Sequence, residues 1–132
     1  MFISLDQYYN GRDKQFSSEL TEELRQNAKT LLNVVSALLA ELDWKEYVVV
    51  SSGWRPQAIN SKTKNAAKKS YHTLCLAIDV ADKDGRLNKA ILARPDLLEK
   101  YKLWMEDGKS TVGWTHLDLG TRPPRKIRVF KP

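Results

Sequence analysis

The longest regular pattern in this chain is a stripe of apolar residues with helical spacing between residues 21 and 42. Starting at Leu24, apolar side chains recur at i, i+4, i+7, i+8, i+11, i+14 and i+15, which places them on one face of an α-helix. Thr21 suits the N-cap, and Glu22 and Glu23 suit the positive end of the helix dipole. We therefore predict a helix over about residues 21–42 whose apolar face packs into a core. The stripe consists of Leu24, Ala28, Leu31, Leu32, Val35, Leu38 and Leu39.

Several short segments after this helix have the composition of strands. The candidate strands are residues 47–52, 76–80, 103–106, 114–119 and 127–130, the last of them at a sheet edge. Short helices are expected after Pro56 and over residues 95–101, and residues 82–85 have a turn composition. We predict an α+β fold for residues 1–132, a single small domain with a central, mostly antiparallel sheet packed against helices.

The composition is that of a globular protein, with 42% hydrophobic and 29% charged residues. The single cysteine, Cys75, excludes a disulfide framework within the chain. No apolar stretch approaches the roughly 20 residues that a membrane span needs. The first residues lack the basic and apolar regions of a secretory signal, so we expect synthesis in the cytoplasm, followed by another route to any site of action outside it.

The net charge of +6 favours an anionic partner, such as nucleic acid, an acidic membrane surface or a bacterial wall polymer. Basic residues concentrate in residues 62–69 and 122–128. Either cluster could simply be a solvated loop, so the charge alone does not choose among these partners.

The two histidines of the chain, His72 and His116, accompany an aspartate, Asp79, in a pattern that suits a metal site. Six residues separate His72 from Asp79, too many for helical neighbours, but a loop that runs into a strand could bring them together. His116 would join them from a second strand. Two imidazoles and one carboxylate form a common catalytic zinc shell that leaves a fourth position open, although Mn²⁺, Fe²⁺ or Ni²⁺ would also accept these ligands.

Three motifs in this order resemble the M15 peptidases, which are D-alanyl-D-alanine carboxypeptidases and L-alanyl-D-glutamate endopeptidases of bacterial cell walls and phage lysins. The motifs are Ser70-x-His72-x6-Asp79, Ser52-Gly53-Trp54-Arg55-Pro56 and Trp114-Thr115-His116-Leu117-Asp118. Residues 11–14, 20–24 and 128–132 are similar to a compact phage and prophage subgroup. The resemblance implies a fold like that of Hedgehog and the D-Ala-D-Ala peptidases.

The resemblance also implies roles for individual residues. His72, Asp79 and His116 would bind Zn²⁺, and Arg55 would lie beside the metal, where it could bind the substrate and stabilise an oxyanion. Ser70 could hydrogen-bond near the metal loop or could only cap that loop. Trp114 could line the substrate cleft, or it could be a packing residue.

The chain departs from the family pattern at two positions. Cys75 stands where the family usually has glycine; its Leu-Cys-Leu setting favours a small buried side chain over a zinc ligand. Gly113 stands where many relatives carry an acidic general base, three residues before the last histidine. A peptidase needs a group that moves a proton from water to the leaving amine. Glu106 is the preferred replacement and Asp107 the second, with Asp118 a third candidate; Glu106 and Asp107 could instead be simple turn acids.

The sequence therefore predicts a monomeric, zinc-dependent peptidase that cleaves the stem peptides of peptidoglycan. The preferred type is a phage endolysin with L-alanyl-D-glutamate endopeptidase specificity. A D-Ala-D-Ala carboxypeptidase and a non-catalytic wall-binding or virion protein that retains the metal site are the alternatives. A nucleic-acid-binding module would explain the charge but not His72, Asp79 and His116, so no nucleic-acid partner is expected.

Overall fold

The computed structural model describes residues 2–63 and 70–132, and within them the chain forms six α-helices and one five-stranded sheet. The helices are α1 (Leu5–Tyr9), α2 (Arg12–Gln15), α3 (Glu22–Glu41), α4 (Gln57–Asn60), α5 (Arg86–Leu92) and α6 (Pro95–Tyr101). The strands are β1 (Val50–Ser52), β2 (Ala77–Asp82), β3 (Trp104–Glu106), β4 (Gly113–Asp118) and β5 (Val129–Phe130). The predicted α+β class is confirmed.

Helix α3 is the helix that the apolar stripe predicts. The Thr21 hydroxyl accepts a hydrogen bond from the Leu24 amide at 3.2 Å, which satisfies one of the free N–H groups of the first turn. Every member of the stripe after Leu24 is buried, and Leu24 is half-buried against the core. The stripe is therefore a core face, as predicted.

The sheet has the strand order β1-β2-β4-β3-β5. Its first three pairings are antiparallel, and only β3 and β5 run parallel, so the sheet is mostly antiparallel as expected. One face packs into the helical core through Ile78, Val80, Met105 and Leu117. Because side chains alternate along a strand, the intervening residues of β2 and β4 point to the opposite face.

Two local expectations were wrong or incomplete. The run at residues 47–52 forms a strand only from Val50; Tyr47 and Val49 are 82% and 49% exposed, although the Val49 carbonyl still accepts a hydrogen bond from the Ala81 amide of β2. The turn at residues 82–85 leads directly into α5, which the sequence did not predict. The carboxylate of Asp82 accepts hydrogen bonds from the Leu87 and Asn88 amides at 3.0 and 2.9 Å, and thereby supports the first turn of that helix.

Two other expectations concern membranes and the basic clusters. Among the described residues, no helix has both the length and the apolar character that crossing a bilayer would require. Of the basic cluster at residues 62–69, residues 64–69 lie outside the described part of the chain.

Candidate metal centre

The sheet register brings Asp79 and His116 face to face. Asp79 on β2 is paired directly with His116 on β4, so their side chains leave the sheet on the same face. Oδ1 of Asp79 lies 2.8 Å from Nδ1 of His116. The strands β2 and β4, both expected from the sequence, thus align Asp79 with His116.

His72 reaches the same carboxylate from a short 3₁₀ turn, Tyr71–Leu74, that precedes β2. The Ser70 hydroxyl caps this turn by accepting a hydrogen bond from the His72 amide at 3.2 Å. Nε2 of His72 lies 3.4 Å from Oδ2 of Asp79, while its Nδ1 lies 2.9 Å from the carbonyl oxygen of Gly53. A carbonyl only accepts, so Nδ1 of His72 donates to it, and Nε2 is the nitrogen that faces Asp79.

His116 is oriented in the same way by a group behind it. Its Nε2 lies 2.7 Å from Oδ2 of Asp118, a carboxylate with no solvent exposure. Because Asp118 is an acceptor, Nε2 donates and Nδ1 is the nitrogen that faces Asp79. A carbonyl or carboxylate behind each ring is the usual outer support of histidines that bind a metal.

One potential ligand atom from each of His72, Asp79 and His116 lies within 4.8 Å of the other two. The structure thus brings together the three residues that the sequence singled out. Two imidazole nitrogens and one carboxylate oxygen, with the far nitrogen of each ring already engaged, fit Zn²⁺ with a fourth position left for water or substrate.

The electrostatics of the cluster favour a cation between these side chains. Burial by itself raises the pKa of Asp79, but hydrogen bonds with His116 and His72 outweigh it and hold that pKa well below its usual range. Burial by itself lowers the pKa of His116, but hydrogen bonds with Asp118 and Asp79 outweigh it and raise the pKa to about 9. Two carboxylates therefore favour a positive charge at this ring, whether from a proton or from a metal ion.

Arg55 follows the Gly53 segment and is half-buried. Its backbone amide donates to the His72 carbonyl at 3.1 Å, which ties the two loops together. Nη1 of its guanidinium donates to Oδ1 of Asn60 at 3.2 Å. Burial lowers the pKa of Arg55 while the negative charge of Asp79 raises it, so the guanidinium is close enough to the cluster to interact with that carboxylate.

Glu106, at the end of β3, lies beside the cluster. The register of β3 with β4 pairs Trp104 with Asp118 and Met105 with Leu117, and one further step brings Glu106 level with His116. Burial raises the pKa of Glu106; the positive charge of His116 lowers it, and the negative charge of Asp79 raises it further. These interactions place its carboxyl group within electrostatic reach of the ligand cluster.

The other two candidate bases have different surroundings. Asp107 is in a turn, where its Oδ1 accepts from the Lys109 amide at 3.3 Å. Together with Trp114 it lines a groove of about 530 Å³ at the end of the sheet. Both oxygens of Asp118 are engaged, by His116, the Gly120 amide and Arg122. Asp118 does share the face of His116, as strand alternation suggested.

The two departures from the family pattern both lie on left-handed backbone. Cys75 ends the 3₁₀ turn with φ 57° and ψ 31°, a conformation that glycine adopts more easily than cysteine. Its thiol is fully buried in the core, and burial raises its pKa to about 12, so the preferred interpretation of Cys75 as a buried side chain is confirmed. Gly113 has φ 100°, where an acidic side chain would strain the backbone although its Cβ would have open space.

Three contributors to the site were missed at the sequence level. They are the Gly53 carbonyl behind His72, Arg122 behind Asp118, and Phe130, whose ring centroid lies 5.8 Å from that of His116. Gly53 lies within the motif at residues 52–56, and Arg122 begins the basic cluster at residues 122–128, but only the tertiary contacts reveal what they do. Phe130 lies in the predicted edge strand and in the segment 128–132 that resembles the phage subgroup, but neither pattern indicates a contact with His116.

Comparison with known proteins agrees with this geometry. The family model described as Peptidase M15 matches residues 10–118, a span that includes all three members of the cluster. Neither curated proteins nor solved structures include a significant match to the chain.

Proposed function

The chain belongs to the M15 peptidase family, and on that premise we propose that it is a zinc-dependent peptidase that cleaves the stem peptides of peptidoglycan. The observation that carries this proposal is the cluster of His72, Asp79 and His116, in which the far nitrogen of each ring is held by an acceptor. Nε2 of His72, a carboxylate oxygen of Asp79 and Nδ1 of His116 would hold the metal. Zinc at this position would polarise the scissile carbonyl and acidify a water molecule.

We assign substrate binding first to Arg55. Its guanidinium is half-buried and remains charged at any physiological pH, so a peptide carbonyl or carboxylate near it meets a partly desolvated positive charge. A charge of this kind is worth most as the carbonyl oxygen becomes negative. Ser70, which caps the turn that carries His72, and Trp114, beside the neighbouring groove, are the further proposed substrate contacts.

Glu106 is the proposed general base. It would accept the proton of the attacking water and then donate it to the amine that leaves when the peptide bond breaks. Its half-buried position supports this role, because burial raises its pKa toward the range in which a carboxyl group both accepts and releases a proton readily. Asp107 is the second candidate, and its hydrogen bond within the turn favours it less.

The substrate assignment also rests on charge. A chain with a net charge of +6 is attracted to the anionic bacterial wall, which would hold the enzyme near its stem peptides. Within this substrate class we propose the phage endolysin type, an L-alanyl-D-glutamate endopeptidase that acts as a monomer at the wall. The D-Ala-D-Ala carboxypeptidase is the alternative with the same ligand set.

Mass spectrometry of purified muropeptides tests the proposal directly. Incubation with the protein should shorten the stem peptides, a chelator should stop the reaction, and added zinc should restore it. A new amino terminus at D-glutamate identifies the endopeptidase, whereas loss of the terminal D-alanine identifies the carboxypeptidase. Sedimentation of the protein with cell walls without any new chain end would instead support a non-catalytic wall-binding protein and refute the peptidase proposal.

A further inference from the structure

Arg122 lies one step behind the metal cluster, where its guanidinium binds the carboxylate of Asp118. Its Nη1 donates to Oδ1 of Asp118 at 2.6 Å, and its Nη2 donates to Oδ2 at 2.9 Å. This two-pronged contact fixes the plane of the carboxylate as well as its position. Oδ2 also accepts the hydrogen bond of Nε2 from His116, so the orientation of Asp118 determines which nitrogen of His116 faces Asp79.

Aromatic rings surround the Arg122 guanidinium. Its central carbon lies 3.6 Å from the ring centroid of Phe130, 5.4 Å from that of Tyr71 and 5.5 Å from that of Trp104. These rings come from β5, the 3₁₀ turn and β3, so the arginine contacts three of the elements that surround the cluster. A planar, weakly hydrated guanidinium suits such a site, whereas a lysine ammonium can neither stack on the rings nor donate in a fork.

The two arginines near the cluster are engaged in different ways. Arg122 directs Nη1 and Nη2 to one buried carboxylate, and its side chain is 19% exposed. Within residues 2–63 and 70–132, the guanidinium of Arg55 donates from Nη1 to Asn60, and its charge acts on Asp79. The first arrangement fixes the plane of a buried carboxylate through two nitrogens, whereas the hydrogen bond from the Arg55 guanidinium to Asn60 uses one.

We propose that Arg122 is a positioning residue of the metal centre. By holding Asp118 in one orientation, it keeps the proton of His116 on Nε2 and presents Nδ1 to the metal. The inference rests on the proposed function only in so far as it takes His72, Asp79 and His116 as the zinc ligands. It requires neither a particular substrate nor turnover, because its direct consequence is the affinity of the cluster for zinc.

The chain provides a matched control in Arg128. Its side chain is also 19% exposed, and its guanidinium lies 4.4 Å from the ring centroid of Trp104. Its Nε and Nη2 donate to the carbonyls of Leu103 and Lys102, not to Asp118. Arg122→Lys and Arg128→Lys therefore make the same chemical change beside the same ring, and only the first removes the fork on Asp118.

The experiment measures zinc affinity by competition with a chromophoric chelator. Arg122→Lys should weaken zinc binding about 10- to 100-fold, the usual effect of losing an outer support of a ligand, and Arg128→Lys should leave it unchanged. In an Asp118→Asn background, Arg122→Lys should have little further effect, because the two residues act through one hydrogen bond. Equal losses from both arginine variants, or fully additive effects with Asp118→Asn, would overturn the proposal.

A spectroscopic measurement on the unmutated protein keeps the test independent of whether the variants fold. Nitrogen-15 spectra of the zinc-loaded protein should show a protonated Nε2 and a metal-bound Nδ1 on His116, with slowly exchanging guanidinium protons on Arg122. The opposite tautomer or a freely rotating guanidinium would contradict the assigned role. If zinc affinity follows the expected pattern and muropeptides stay intact, the proposed function fails while the positioning role stands. If instead Arg122→Lys binds zinc as tightly as the unmutated protein, and the unmutated protein cleaves muropeptides, the positioning role fails while the proposed function stands.

Discussion

Replacing Gly53 by alanine should damage the metal centre, although residue 53 contributes no side chain to it. A Cβ built on Gly53 would lie 2.0 Å from the carbonyl oxygen of Tyr8, where real Cβ atoms do not come closer than about 3.0 Å. Tyr8 cannot easily retreat, because it is 1% exposed and its hydroxyl donates to the Ala77 carbonyl at 2.9 Å. The Gly53 segment must therefore move by about 1 Å.

That movement acts on His72 through the Gly53 carbonyl. The contact between this oxygen and Nδ1 is 2.9 Å, and a shift of about 1 Å takes it beyond hydrogen-bonding range. Forcing a methyl group into a packed site costs about 1–3 kcal/mol, and the lost hydrogen bond adds about 1 kcal/mol. We expect Gly53→Ala to lower the free energy of unfolding by about 2–4 kcal/mol and to weaken zinc binding about 10- to 100-fold.

Urea unfolding of the chelator-treated protein measures the first effect, and chelator competition measures the second. Gly108→Ala is the matched control, because the three atoms nearest to its Cβ would all belong to the Asn88 side chain, the first at 2.7 Å. It should cost stability without changing zinc affinity. Wild-type zinc affinity in a folded Gly53→Ala protein would refute the reasoning, as would an equal loss of affinity in Gly108→Ala.

Four further predictions concern catalysis, pH, backbone strain and charge. Glu106→Gln should abolish muropeptide cleavage and retain zinc, whereas Asp107→Asn should retain both; full activity of Glu106→Gln would remove Glu106 as the base. Because the pKa of Glu106 is raised and a base must be deprotonated, the rate of muropeptide cleavage should begin to fall on acidification at a higher pH than it would with an exposed glutamate as base. A fall that begins only near the ordinary glutamate pKa of about 4.3 would contradict this. Cys75→Gly should be at least as stable as Cys75→Ala in urea unfolding, since alanine keeps the left-handed strain of about 1–2 kcal/mol; a clearly more stable alanine variant would refute that strain. Binding to purified walls should weaken as salt rises, because the charge acts over about 8–10 Å near physiological ionic strength, and salt-independent sedimentation would exclude a role for the net charge.

The parts of the fold that the sequence predicts well are those with a long or repeated pattern. The apolar stripe from Leu24 to Leu39 spans about four turns of α3, so the boundaries of the helix follow within a residue or two. The β2 and β4 segments are marked by apolar runs next to scarce residue types. Helices α1 and α2 have five and four residues, too few for a period to be visible. Helix α5 depends on Asp82, whose capping role appears only once β2 is known to end there.

The residues of the site likewise divide into those that the sequence predicts and those that only the folded structure reveals. His72, Asp79 and His116 could be predicted because few other residue types bind zinc and because their order resembles a family. The Gly53 carbonyl and the Arg122 fork could not, since each acts through a contact that only the folded loops and strands create. Neither could the left-handed backbone at Cys75 and Gly113, because neither position belongs to an obvious turn sequence.

The backbone at Gly113 also bears on whether the enzyme retains turnover. With φ at 100°, an acidic side chain at residue 113 would occupy a strained conformation, so glycine suits the way in which β4 begins. The proposed substitute is Glu106 on the neighbouring strand, because continuing the register of Trp104 with Asp118 and Met105 with Leu117 brings it level with His116. A base supplied from β3 needs no change in the positions of the three proposed ligands. Gly113 is therefore weak support for a non-catalytic protein. Muropeptide cleavage by the unmutated protein separates the two interpretations, and the Glu106→Gln variant, which leaves the β4 backbone untouched, then tests whether β3 supplies the base.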